Sequence, residues 1–190
     1  MFRIEDTSAG FTLTMDRDPA PRNPRLVEEP LFGFVTWGTG GTGSPALGDP
    51  HDWPDRAAFR AAVTSKDHVL FPLVRVETPK GSVLMRQEEM RDGPCVGYAF
   101  ASFERVCLVL GLDAITPEIR DEVMEDVEAR CLGELQALDD FVQGEVYRFA
   151  IVDRTGAVVE TGRDLYGEDH ARHVAKAAFE RHLYGVAMDG

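Results

Sequence analysis

Lysine is scarce in this chain: Lys66, Lys80 and Lys176 are three of 20 basic residues, set against 33 aspartates and glutamates, for a formal charge of −13. That balance excludes a broad basic face, and with it the usual electrostatic grip on nucleic acid or an anionic membrane. Long apolar runs are missing too. No stretch approaches the roughly 20 residues that cross a bilayer. The first residues, Met1-Phe-Arg-Ile-Glu-Asp6, show no basic region followed by an apolar run, so no signal peptide is expected. Cysteine is limited to Cys95, Cys107 and Cys131, odd in number and without a Cys-x-x-Cys pair. This usage predicts buried free thiols in a reducing, cytoplasmic setting and argues against a disulfide framework or a cysteine-held metal. No Gly-x-Ser-x-Gly elbow occurs, and Ser8, Ser44, Ser65, Ser82 and Ser102 all stand in turn or cap contexts.

What is present reads as an ordinary globular protein, 190 residues with 44% hydrophobic and 28% charged. A chain of this size buries a core without staples, so one domain over 1–190 is expected. Strands are predicted at 2–4, 11–15 and 31–37, the second from its alternation of Phe11, Leu13 and Met15 with threonines. The intervening Asp16-Arg-Asp-Pro-Ala-Pro-Arg-Asn-Pro-Arg25 is irregular, because three prolines forbid helix and central strand alike. A helix over 54–64 follows, with Asp52 as N-cap. A hairpin of 69–76 and 82–86 closes around Thr78-Pro-Lys-Gly81, a strand spans 95–101, and Ser102 caps a short helix ending at Gly111.

The longest helix starts after Thr116, its N-cap, with Pro117 in the first position. Ile119, Val123, Val127, Cys131, Leu135, Leu138 and Val142 form its apolar stripe, and Gly144 ends it. A second hairpin covers 145–162 around Asp153-Arg-Thr-Gly156. A last helix spans 168–182, with Ala171, Val174, Ala178 and Phe179 inward. Frequent hairpins and poor strand–helix alternation predict an α+β fold: a largely antiparallel sheet with helices mainly on one face, including one long acidic helix.

Four features have the residue types of chemistry. Trp37-Gly-Thr-Gly-Gly-Thr-Gly43 has the glycine content of a phosphate cradle. Such a cradle also needs a helix N-terminus, or a lysine with a Ser/Thr, and the following 44–50 supplies neither; a surface loop is expected. Asp49, His51 and Asp52 bring two carboxylates and an imidazole within four residues, a set suited to acid–base work or a metal. Capping and turn duties account for the same aspartates. His170 and His173, at i, i+3 on the last helix, could join His51 in holding a metal; an exposed helical surface is the plainer reading. Lastly, Glu118, Asp121, Glu122, Glu125, Asp126, Glu128, Glu134, Asp139 and Asp140 crowd the long helix against Arg120 and Arg130 alone. Glu118, Glu122, Glu125 and Asp126 share neighbouring surface, where like charges repel.

Several segments in order carry a likeness: Asp16–Arg25, the strand 31–37, Leu47-Gly-Asp-Pro-His-Asp52, Phe71-Pro-Leu73, Asp92–Tyr98 and Gly144-Glu-Val-Tyr147. Together, over about residues 11–170, the chain resembles a family of small uncharacterised proteins of bacteriophages, plasmids and actinobacterial genomes. The resemblance implies a mobile-element origin and a compact α+β fold, and supplies no reaction. Its members carry a histidine after the tryptophan and another in the first hairpin; here those places hold Gly38 and Thr78-Pro79, which weakens a hydrolase or metal reading. The shared proline-rich segment is expected to be structural, with Arg25 or Asp18 pinning it.

The leading expectation is a non-enzymatic acidic interaction protein of mobile-element type. It would act as a counter-defence or DNA-mimic inhibitor presenting Glu118, Glu122, Glu125, Asp126 and Glu128 to a basic host protein. The alternative is a small metal-dependent enzyme or metal-binding domain built on Asp49, His51 and Asp52. A third is a homo-oligomer paired through its hairpin edge. No cofactor, no direct contact with nucleic acid and no membrane are expected.

Overall fold

The computed structural model describes residues 2–6, 10–27, 29–37, 55–86 and 94–188. In chain order the elements are β1 (Phe2–Asp6), β2 (Phe11–Arg17), α1 (Pro24–Val27), β3 (Gly33–Thr36), α2 (Arg56–Ala62), β4 (His68–Thr78), β5 (Gly81–Arg86), β6 (Gly97–Ser102), α3 (Phe103–Leu110), α4 (Arg120–Gln143), β7 (Val146–Val152), β8 (Val158–Tyr166) and α5 (Glu168–Met188). The fold is α+β and its strand pairs are antiparallel. Where a single sheet was expected, the strands divide into two four-stranded sheets. The chain gathers into two compact units, residues 1–24 with 140–190 and residues 25–139. Among the described residues no helix is long and apolar enough to cross a membrane.

In the first unit the strand order is β1-β2-β7-β8. Period-two alternation assigns the faces. Leu13, Met15, Tyr147, Phe149 and Ile151 meet Ala171, Ala175, Ala178 and Phe179 of α5 in one apolar cluster. Their neighbours Thr14, Asp16, Arg148 and Ala150 therefore belong to the opposite face. Alanines on α5 let the helix lie close to the sheet; Ala175 is fully buried, and Val174 packs at its margin. Gly144, in the left-handed conformation at φ 70, ends α4 as expected, with the Glu145 N–H returning to the Asp140 carbonyl at 2.7 Å. β8 runs on to Tyr166, past the expected end near Gly162. Tyr147 faces Leu165 while Phe149 faces Gly162, so one extra residue is inserted opposite Arg148. This is a β-bulge, and it carries Arg163 and Asp164.

The second unit has the order β3-β6-β4-β5. One face receives Val123, Val127, Cys131, Leu135 and Leu138 of α4, packed on Phe34, Phe71, Leu73 and Ala99. These five are the core of the predicted stripe. The other face holds Phe59 and Val63 against Val35 and Tyr98. Ser102 accepts the Arg105 N–H at 3.1 Å and Gly111 ends α3 at φ 67, both as expected.

Four local expectations need correction. The segment 16–25, expected to be irregular throughout, gives its first two residues to β2, which ends at Arg17, and its last two to α1, where Pro24 takes the first helical position that proline suits. α2 is capped by Asp55, whose carboxylate accepts the Ala58 N–H at 2.8 Å, so the helix starts at Arg56; Asp52 lies outside the described residues. α4 starts at Arg120. The preceding turn is closed by an Ile119 N–H to Thr116 carbonyl bond three residues apart, a tighter geometry than an α-helix. Only Cys131 is buried; Cys107 lies beside the inward Val106 and Cys95 precedes β6, so both are half-exposed.

Gly97 marks the tightest backbone approach in this sheet, since a Cβ there would sit 2.0 Å from the Val35 carbonyl oxygen. Gly133, within α4, would meet nothing within 4 Å. Gly97→Ala should cost about 1–3 kcal/mol in urea unfolding, whereas Gly133→Ala should gain about 0.4–1 kcal/mol. Equal effects at the two sites would contradict this packing.

Candidate functional site

The acidic surplus separates into carboxylates that the fold uses and carboxylates that it does not. On α4, Glu128 is used: it pairs with Arg86, whose side chain is 4% exposed and lies 4.5 Å over the Phe71 ring. A guanidinium so enclosed requires a counter-charge. Glu134 is used more heavily. Its Oε1 accepts the Leu31 N–H at 2.7 Å and its Oε2 accepts from Arg25 Nη1 at 2.7 Å. Arg25 also donates to the Phe32 carbonyl and stacks on Phe34 at 4.3 Å. Burial pushes the Glu134 carboxyl up, against the Leu31 N–H and the Arg25 charge, and pushes the Arg25 guanidinium down.

The remaining predicted contact residues differ. Glu118, Glu122, Glu125 and Asp126 are all exposed. Hydrogen bonds from the Thr116 side chain and its own backbone hold the Glu118 carboxyl below the usual range. Glu122, Glu125 and Asp126 make no ion pair with any described residue. The structure thus brings four of the five onto one exposed stretch and gives Glu128 to Arg86.

The first unit contains a second carboxylate centre that sequence reasoning missed. Asp164, at φ 56, is the one described non-glycine residue with a positive φ, a conformation aspartate tolerates better than most residues. Its side chain is 2% exposed. Oδ1 accepts the Arg22 N–H at 2.8 Å, and Oδ2 accepts from Arg22 Nε at 2.7 Å, with Arg163 Nε 3.3 Å away. Burial alone would raise this carboxyl; the Arg22 N–H, the Arg22 guanidinium and Arg163 outweigh it and hold it below the usual range. Asp18 lies alongside. Its Oδ1 accepts the Ala20 N–H at 3.0 Å, and its own N–H donates to the Val146 carbonyl at 2.8 Å. Asp18 and Arg25, expected to pin the proline-rich segment, thus each pin it. Asp164 gave no signal because the bulge that places it interrupts the alternation by which a strand is read. At the start of β7 a third group forms, in which Tyr147 donates to Glu145 at 2.7 Å. Burial and the Glu145 charge push its phenol up to about 12.

His170 and His173 are exposed on α5. Among the described residues no group of three His, Cys, Asp or Glu side chains is placed to hold a metal ion. Asp49, His51 and the 38–48 glycine loop lie outside the described residues, as Asp52 does. Compared with family models, with curated proteins and with solved structures, the chain finds no match.

Asp164→Asn keeps the acceptor for the Arg22 N–H and removes the charge, and should cost about 1.5–3 kcal/mol near neutral pH. Because the folded carboxyl is held low, its contribution is complete above the unfolded pKa and lost as pH falls through the folded one. The gap between the two proteins should therefore narrow in acid; urea titrations from neutral to acid pH would show it. A gap constant with pH would contradict the assignment.

Proposed function

We propose that this chain is a non-enzymatic, cytoplasmic interaction protein of mobile-element type that presents the N-terminal half of α4 to a basic host protein, as an inhibitor of a nucleic-acid-handling system. One observation carries this reading: Glu122, Glu125 and Asp126 are exposed together without an ion-pair partner among the described residues. Elsewhere arginines lie beside carboxylates, at Glu128, Glu134, Glu145 and Asp164. On a helix, like charges at i, i+3 and i, i+4 are each destabilising by about 0.2–0.5 kcal/mol. A face kept against that cost suits a partner that supplies the missing cations. The geometry also suits salt-sensitive recognition, since the charges are solvated and act over a Debye length of roughly 8–10 Å.

The immobilised protein, challenged with host lysate, should retain a basic protein whose affinity falls about tenfold or more between low salt and ~0.3 M salt. The Glu122→Lys, Glu125→Lys, Asp126→Lys triple variant should lose it. Retention indifferent to salt and to charge reversal would overturn the reading.

A further inference from the structure

We propose that the face of the first unit's sheet turned away from α5 holds a binding site for a small zwitterion of amino-acid size. A concavity of about 540 Å³ opens there, lined by Thr14, Asp16, Asp18, Arg148, Thr161 and Arg163 among others. That is a volume typical of small-molecule sites. The lining comes from β2, β7, β8 and the start of the proline-rich segment, and the β8 bulge lies at its edge.

The decisive group is Asp18. Its side chain is 3% exposed, and Oδ2 is buried without a hydrogen bond. Its nearest cation, Arg163 Nε, stands 3.7 Å away, too far to donate. A buried carboxylate oxygen left without a donor is costly and calls for an explanation. Arg163 is not committed to that oxygen. Its Nε lies nearer Asp164, at 3.3 Å, and its Nη2 donates to the Ala20 carbonyl at 3.1 Å. The side chain is also more than half exposed, so little packing opposes its moving away from Asp18. An incoming ammonium would then supply the missing donor.

The other end of the ligand follows from Arg148. It is exposed on β7, opposite the bulge, and makes no ion pair with a described residue. The charges of Asp16 and Asp18 balance those of Arg148 and Arg163, so the lining is dipolar rather than net acidic or net basic. A molecule with an ammonium for Asp18 and a carboxylate for Arg148 matches both ends. A cation or an anion alone matches one.

Nitrogen-15 NMR of the full chain, titrated with a panel of free amino acids at millimolar concentration, tests this. At least one should shift the Ala20, Gly162 and Arg163 amides saturably, and methylammonium or acetate alone should not. The fitted Kd should weaken about tenfold or more in Asp18→Asn and in Arg148→Ala. Arg148 is exposed, so its variant keeps the test intact if the Asp18 variant does not fold. Silence across the whole panel would overturn the proposal, as would a Kd unchanged in Arg148→Ala, or methylammonium or acetate binding as tightly as any amino acid.

Discussion

Between β2 and α1 the chain runs from Asp18 to Asn23 without regular structure, Pro19 and Pro21 within it have no backbone N–H to give, and its course depends on carboxylates. Asp164 is the one on which most rests. It receives both the backbone and the guanidinium of Arg22, while Tyr166 donates to the Arg22 carbonyl at 3.0 Å and Arg163 to that of Ala20. These contacts are possible only because the bulge in β8 puts an aspartate in the left-handed conformation opposite Arg148. A regular strand would turn that carboxylate to the wrong face. Three residues on, Arg25 finds its own counter-charge in Glu134, in the second unit. Charge-assisted hydrogen bonds thus hold the irregular segment at Arg22 and the helix that follows it at Arg25.

The same pairing explains what the acidic composition means. A net charge of −13 suggests uniform self-repulsion. The structure shows a division of labour instead. Glu128, Glu134 and Asp164 each neutralise arginine, and Glu134 and Asp164 also cap backbone N–H groups. Glu122, Glu125 and Asp126 have no ion-pair partner among the described residues and lie on the flank of α4 away from Val123 and Val127. Charge count alone overstates the surface on offer to a partner, and Glu128 is the clearest example.

Local signals were legible and distant ones were not. Ser102 and Gly111 bound α3 as their chemistry dictates, the Thr78–Gly81 turn joins β4 to β5, and the stripe from Val123 to Leu138 is the buried face of α4. Each depends on residues within a few positions of one another. The division into two sheets depends on β2 pairing with β7, Leu13 opposite Ile151, and no local pattern encodes a partner that far along the chain. Asp164 was hidden for a related reason, because a bulge breaks the period by which strand faces are assigned. The start of α4 was misjudged by one turn, since a proline and an N-cap residue also suit the tight turn seen at 116–119. All five acidic residues singled out on the long helix are exposed, but that Glu128 pairs with Arg86 of a distant strand was not legible, and the pocket at Asp18 needed three strands assembled before it existed.

The described carboxylates of α4 fall into two classes, those the fold requires and those without an ion-pair partner among the described residues. Urea unfolding of two alanine variants tests this division most directly. Glu134→Ala strands the Leu31 N–H and the Arg25 guanidinium, and should lose about 2 kcal/mol or more. Glu122→Ala, Glu125→Ala and Asp126→Ala combined should leave stability unchanged or raise it, because repulsion is relieved and alanine favours helix. A combined variant that loses as much as Glu134→Ala would contradict the division.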